Sequence, residues 1–230
     1  MVRILAVATL ALGLTASANA STIVPGTSNP WLAGMPEGTT AAYSDTAFDQ
    51  SPVEVALSFA PGDHLVFTST GTTDHCDGGG CGLAGAEGDF LEPPWGHDVG
   101  AEHGIANVVA PIDALIGVFL GPDQPDSSGA PAALDFSTPA LRDFASLSPL
   151  LKQPFFIGDG LRNDLTTLQV FVVPAGATRL FLGTMDGYDW FNNAGSLDVT
   201  ATNVPEPATI VLVGAGLFGA VRRRVSRRLK

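Results

Sequence analysis

The stretch Leu168–Thr202, "LQVFVVPAGATRLFLGTMDGYDWFNNAGSLDVTAT", contains three short apolar segments: Leu168–Pro174, Thr178–Met185 and Ser196–Thr202. Each is rich in Val, Leu, Phe and Thr and is bounded by Gly, Pro or Asp, which predicts strands. In the last, Leu197 and Val199 alternate with Asp198 and Thr200, the period of a strand with one face on a core and the other in water. Working outward, Val53–Ala60, His64–Thr70 and Ala114–Gly121 repeat that composition. The 27 glycines and 17 prolines of the 230-residue chain read as turns between them. One segment has helical spacing: over Thr138–Leu151, Leu141, Phe144 and Leu147 follow a Ser137 or Thr138 cap. The expected fold is all-β, an antiparallel β-sandwich.

The two ends read differently from the middle. "MVRILAVATLALGLTASANA" places Arg3 before an apolar run and closes on Ala18-Asn19-Ala20, the order of a secretory signal peptide cut after Ala20. The other end, "VPEPATIVLVGAGLFGAVRRRVSRRLK", joins Pro205-Glu206-Pro207 to a short apolar run and an arginine cluster that includes Arg222, Arg223 and Arg224. Its uncharged part, Ala208–Val221, makes about 21 Å of helix against a hydrocarbon core of about 30 Å, a weak or temporary transmembrane helix with arginines on the side that stays cytoplasmic. Three parts are expected: residues 1–20 as signal, 21–203 as one sandwich ectodomain and 204–230 as a membrane-directed tail.

Removing the ends changes the charge. Between residues 21 and 203, 22 acidic residues face four cations, Arg142, Lys152, Arg162 and Arg179, for a net charge of −18. Such a field repels phosphate backbones, which excludes nucleic acid as a partner, and favours divalent cations.

The turn "DGYDWFNNAG" carries the most chemistry per residue. Asp186, Asp189, Asn192 and Asn193 are hard oxygen donors within eight positions, and calcium takes about 6–8 such oxygens. Asp, Asn and Gly are also what a plain hairpin loop prefers. The only cysteines, Cys76 and Cys81, lie in "TTDHCDGGGCG"; in an exported chain an even count points to a disulfide pinning a Gly-rich loop. The alternative is a metal site of His75, Cys76, Asp77 and Cys81. The chain has no GxSxG, no HExxH and no phosphate loop, so a binding or structural role is expected rather than catalysis, with an extracellular hydrolase of dispersed residues as a lesser alternative.

The run Phe155–Thr200, with "ALIGVFLG" and "FAPGDHLVFTSTG", resembles the family of the calcium-dependent galactose-binding lectin of pseudomonads. The resemblance implies a lectin-like sandwich of jelly-roll type in which Asp186 and the pair Asn192 and Asn193 are side-chain calcium ligands. It also implies that Asp189 stands where a backbone carbonyl is used, and that a further carbonyl comes from near His75. The Asp186–Asn192 interval is one residue shorter than in that lectin. The segment "PPWGHDVGAEHGIA" falls where the family holds its sugar and offers Trp95, His97 and His103; a core tryptophan and two idle loop histidines are the alternative.

The tail, "VPEP", apolar run, "RRR", is similar to the PEP-CTERM sorting signal. That resemblance implies export through the Sec translocon, transient residence in the inner membrane, and processing by an exosortase at Pro205-Glu206-Pro207 in a Gram-negative bacterium that makes exopolysaccharide. The expected protein acts at the envelope, surface or biofilm matrix, binding a galactose-type sugar or exopolysaccharide through calcium; the alternative is a structural matrix protein without a ligand. A long segment, Gly121–Leu151, stands as an insertion that raises the question of whether it covers the calcium loop.

Overall fold

The computed structural model describes residues 17–76 and 80–204. Among the described residues twelve strands run in chain order: β1 (Ala18–Pro25), β2 (Val53–Glu54), β3 (His64–Asp74), β4 (Trp95–Gly96), β5 (Val108–Ala110), β6 (Leu115–Leu120), β7 (Leu134–Asp135), β8 (Ser146–Leu147), β9 (Phe155–Phe156), β10 (Val170–Val172), β11 (Arg179–Thr184) and β12 (Ala194–Val204). They form a five-stranded sheet ordered β1-β12-β3-β10-β8, a four-stranded sheet ordered β2-β11-β6-β9, and a small sheet ordered β4-β5-β7. Apart from the parallel pairs β10·β8 and β5·β7, the ladders are antiparallel.

The alternation along β12 is used as the sequence predicts. Leu197, Val199 and Ala201 are buried and Asp198 is exposed, and the strand pairs with β3 over eleven positions and with β1 over eight. β6 is buried on both faces, as suits a continuous apolar run in the middle of a sheet. The sheets meet through aromatic rings: Phe171 of β10 lies 5.4 Å from Phe155 of β9, Phe155 stacks on Phe119 at 5.3 Å, and Phe67 meets Phe171 edge-on at 5.2 Å. One residue makes that contact possible. A Cβ on Gly117 would fall 2.5 Å from the Phe155 ring, so a side chain there would push the two aromatics apart.

Two expectations are corrected, and the expected cleavage point after Ala20 falls where a strand runs. Of the helix predicted over Thr138–Leu151, only Pro139–Arg142 is helical, with the Thr138 side chain accepting from Leu141 N. The Gln169 side chain ends it by donating to the carbonyls of Arg142 and Phe144, and β8 then pairs with β10; this sheet edge outweighs the local periodicity. The strand expected over Val53–Ala60 keeps only Val53–Glu54. β1 runs through Ala20, so the predicted cleavage point lies within the strand and leaves Ser21–Pro25 paired with β12.

The Gly121–Leu151 insertion is tied down by cations. Lys152 Nζ donates to Pro125 O, Ser128 O, Ser128 Oγ and Gly129 O, and Arg179 donates to Gly121 O and Asp123 O. Arg142, within the insertion, likewise donates to Phe136 O, so three of the four ectodomain cations satisfy loop carbonyls rather than carboxylates.

Candidate functional site

The loop between β11 and β12 is held from below by a residue that sequence reading missed. Asp45, fully buried, accepts from Asn29 Nδ2 at 3.0 Å, from Trp190 N at 3.2 Å and from Phe191 N at 3.1 Å. Burial raises its pKa above the usual carboxylate range, while these donors pull it back. Trp190 drops into the core and bonds its indole N–H to Thr184 O, fixing the loop's far side. A carboxylate 145 residues upstream of Trp190 carries no local signal; only the fold joins them.

The near side is pinned by the first loop. Cys76 and Cys81 are disulfide-bonded with Cα atoms 5.5 Å apart, and the buried Asp74 accepts from Cys76 N and Gly82 N across the same turn. Asp77, the fourth member of the alternative metal site, lies outside the described residues. His75 is held by Asp113, whose Oδ2 lies 2.6 Å from Nδ1. Asp113 is buried, and burial raises its pKa against the lowering effect of His75.

Between these two loops is a cavity of about 260 Å³ lined by His75, the disulfide, Glu92, Trp95, Ile112, Asp186, Tyr188 and Asn192. Asp186 is 4% exposed. Its Oδ1 accepts from Gly187 N at 2.6 Å and Tyr188 N at 3.5 Å, and its Oδ2 has no hydrogen-bond partner. Burial pushes its pKa up to about 7, with Asn193, the two backbone N–H groups and His75 acting in the opposite direction. Asn192 Oδ1, Asn193 Oδ1 and Asp113 Oδ1 are likewise buried without a partner.

The remaining sequence candidates fall in different places. Asn193 donates its amide to Gly26 O. Asp189, at φ +60°, is at the loop's apex outside the cavity lining, where its carbonyl accepts from Asn192 N at 3.0 Å and its charge raises Asp45. Trp95 lines the cavity, and its indole N–H is buried with no acceptor. His97 turns inward, stacked on Trp31 at 4.1 Å, with Nδ1 bonded to Gly100 O and its pKa lowered by burial. His103 bonds Thr40 O and does not line the cavity. No residue of the 121–151 insertion lines it either.

A second cavity, about 380 Å³, is lined by Glu87, Phe90, Pro139, Arg142, Asp159 and Arg162 among others, and there the insertion does contribute. Glu87 Oε1 accepts from Asp159 N at 3.0 Å.

A β-sandwich with a disulfide-stapled loop is the build of a protein made for an oxidising space outside the cytoplasm. Residues 203–228 match the family model of the PEP-CTERM protein-sorting motif, and the chain is thereby an exported protein of the envelope or surface, processed by exosortase. No curated protein matches the chain. No helix among the described residues is long and apolar enough to cross a membrane, and Pro205-Glu206-Pro207, the apolar run and Arg222–Arg224 lie outside them.

Proposed function

We propose that this is a non-enzymatic surface protein whose sandwich binds calcium in the cavity beside the β11–β12 loop and uses the ion to bind sugar hydroxyls. The observation that carries this reading is the set of buried oxygens without partners: Asp186 Oδ2, Asn192 Oδ1 and Asn193 Oδ1 in one loop, with Asp113 Oδ1 behind His75. Buried polar atoms are normally satisfied, and several unpartnered oxygens, two of them on the cavity lining against a single unpartnered donor, Trp95 N–H, are costly unless a cation answers them. Asp186, Asn192 and Asn193 supply the hard oxygen donors calcium prefers, and backbone carbonyls of the two flanking loops complete the kind of set it takes. Calcium supplies a Lewis-acidic centre that accepts ligand hydroxyl oxygens. The chain's own part is to hold those oxygens fixed: the disulfide and Asp74 stiffen one wall, Asp45 stiffens the other, and Trp95 offers a ring and an unpaired N–H to whatever enters.

A galactose-type sugar or an exopolysaccharide is the ligand class, consistent with a charge of −18 that attracts cations and with delivery to the surface. Calcium titration of the protein followed by thermal unfolding tests the reading. Calcium is expected to raise Tm, EGTA to reverse it, and retention on a glycan array to disappear with chelator. A Tm indifferent to calcium overturns it.

A further inference from the structure

We infer that the site takes a glycan chain rather than a single terminal sugar, because an aromatic strip leads out of the cavity across the surface. This rests on the sugar-binding reading above and extends it to a length of ligand. Trp95 stands in the cavity wall, Tyr188 at its mouth and Tyr43 beyond it. The rings follow one another at centroid distances of 6.4 Å from Trp95 to Tyr188 and 5.4 Å from Tyr188 to Tyr43. Among the described residues Trp95 and Tyr43 make no ring contact with each other, so Tyr188 is the middle member.

Trp95 packs partly against the core, but the two tyrosines are not core residues that happen to show. Tyr43 is 49% and Tyr188 41% exposed. The rings come from three separate segments, and the chain makes local concessions to bring them together. Tyr43 has φ +60°, a left-handed conformation that a bulky residue adopts only when its surroundings impose it. Gly187 lets Trp95 lie against the calcium loop: a Cβ there would fall 3.0 Å from Trp95 Cε3. Asp98 N donates to Gly187 O at 3.1 Å, so the segment after Trp95 is bonded to the loop carrying Tyr188.

The chemistry of the strip selects the ligand. Tyrosine and tryptophan give rigid, amphipathic contact area with little side-chain entropy to lose, and their faces suit the C–H faces of pyranose rings. Beside the rings are polar groups for hydroxyls: the exposed Asp98 carboxylate 3.5 Å from the Tyr43 hydroxyl, and Glu92 on the cavity lining. A ligand that is apolar on its faces, hydroxylated on its edges and longer than one ring matches this order. The negative field favours a neutral chain over a polyanionic one.

Titration calorimetry on the full chain in mild detergent, with calcium, tests this using galactose, glucose and mannose beside their β-1,4-linked tetrasaccharides. At least one tetrasaccharide is expected to bind roughly tenfold or more tighter than its monosaccharide, the effect of one added aromatic stack. Tyr43→Ala and Tyr188→Ala should each reduce that ratio to near one, and Tyr43→Ala, outside the cavity lining, should leave monosaccharide affinity and the calcium-induced Tm rise unchanged; Tyr43→Phe and Tyr188→Phe should retain the ratio. Equal affinity for monomer and tetramer, a ratio insensitive to both alanine variants, or no binding of any saccharide by a protein that responds to calcium overturns the inference. A Tyr-dependent ratio without any calcium effect on Tm leaves the strip standing and removes the metal instead.

Discussion

The two cavities hold carboxyl groups of the same apparent acidity and opposite meaning. Asp186 and Glu87 are both pushed up to about 7, and in both burial is the largest cause. At Glu87 the protein supplies its own answer: Oε1 takes the Asp159 N–H, the Asp159 carboxylate beside it favours a retained proton, and the Arg142 charge acts the other way. At Asp186 one oxygen is answered by backbone N–H groups and the other by nothing, and its neighbours Asn192 and Asn193 add more unpartnered oxygens. A displaced pKa therefore does not by itself mark a ligand site. What separates the two is the set of unpartnered acceptors: Asp186 Oδ2 and Asn192 Oδ1 line the first cavity, and among the described residues the lining of the second carries none.

The largest expected effect breaks the comparison from outside both cavities. Asp45→Ala removes the acceptor for Trp190 N, Phe191 N and the Asn29 amide in a fully buried place. Unfolding free energy is expected to fall by about 4 kcal/mol, the cost of three buried donors left unpaired, and the calcium response should vanish with the loop's footing. The second cavity should be untouched, so protection of Asp159 N–H from hydrogen exchange relative to global unfolding should persist. A stable variant that still answers calcium would show that the loop holds its shape unaided.

Next in size is the metal itself. At a hundredfold excess over its Kd, calcium should add about 3 kcal/mol of stability to the wild type. Asp186→Asn should abolish that gain and Glu87→Gln should leave it intact. If both variants respond like the wild type, the unpartnered oxygens of the first cavity are not the binding groups.

This division between the cavities was only half legible in the sequence. In the two main sheets the apolar runs of the sequence agree with β3, β6, β11 and β12 to within a few residues, because their partners bury whole faces, whereas β1, β8 and β9 carry no such run in that reading. The small sheet β4-β5-β7 has no counterpart in the sequence reading because strands of two or three residues leave no period to read. The helix over Thr138–Leu151 was misread because a Gln169 amide from across the fold ends it after one turn. At the candidate site the Asp186–Asn193 loop and the Cys76–Cys81 pair are local patterns and were visible. Asp45, Asp113, Tyr43 and Tyr188 act through contacts with distant segments, and nothing in their neighbours announces it. His97 looked like a loop residue and is a core one, since stacking on Trp31 is a property of the folded chain.

The disulfide sharpens the comparison on a smaller scale. Cys76→Ser with Cys81→Ser opens a short loop, which should cost roughly 2 kcal/mol. Its reach should be one-sided. The loop carries His75 and one wall of the first cavity, so calcium affinity should drop, while Glu87 should titrate as before in a carboxyl-selective NMR experiment. Unchanged calcium affinity would mean that Asp74 and Asp113 alone hold that wall.

The smallest effect is a slope, and it separates the cavities most directly. Asp186 and Glu87, raised to about 7 in the folded chain against about 4 in the unfolded one, hold protons that the unfolded chain has released. Each therefore adds stability that is full below pH of about 4 and is lost as pH rises through about 7, with a slope of at most about 1.4 kcal/mol per pH unit. Asp45 and Asp113, also raised by burial, act in the same direction. His97, lowered by burial, acts oppositely, since the folded chain gives up its proton before the unfolded one does. The sum is thus less telling than the differences between variants. In EGTA, Asp186→Asn and Glu87→Gln should each flatten the fall of stability between pH 4.5 and 7.5. In saturating calcium only Glu87→Gln should still do so, because a carboxylate on a cation no longer keeps its proton. If calcium leaves the Asp186 contribution in place, the ion is not on that carboxylate, and the first cavity is as self-contained as the second.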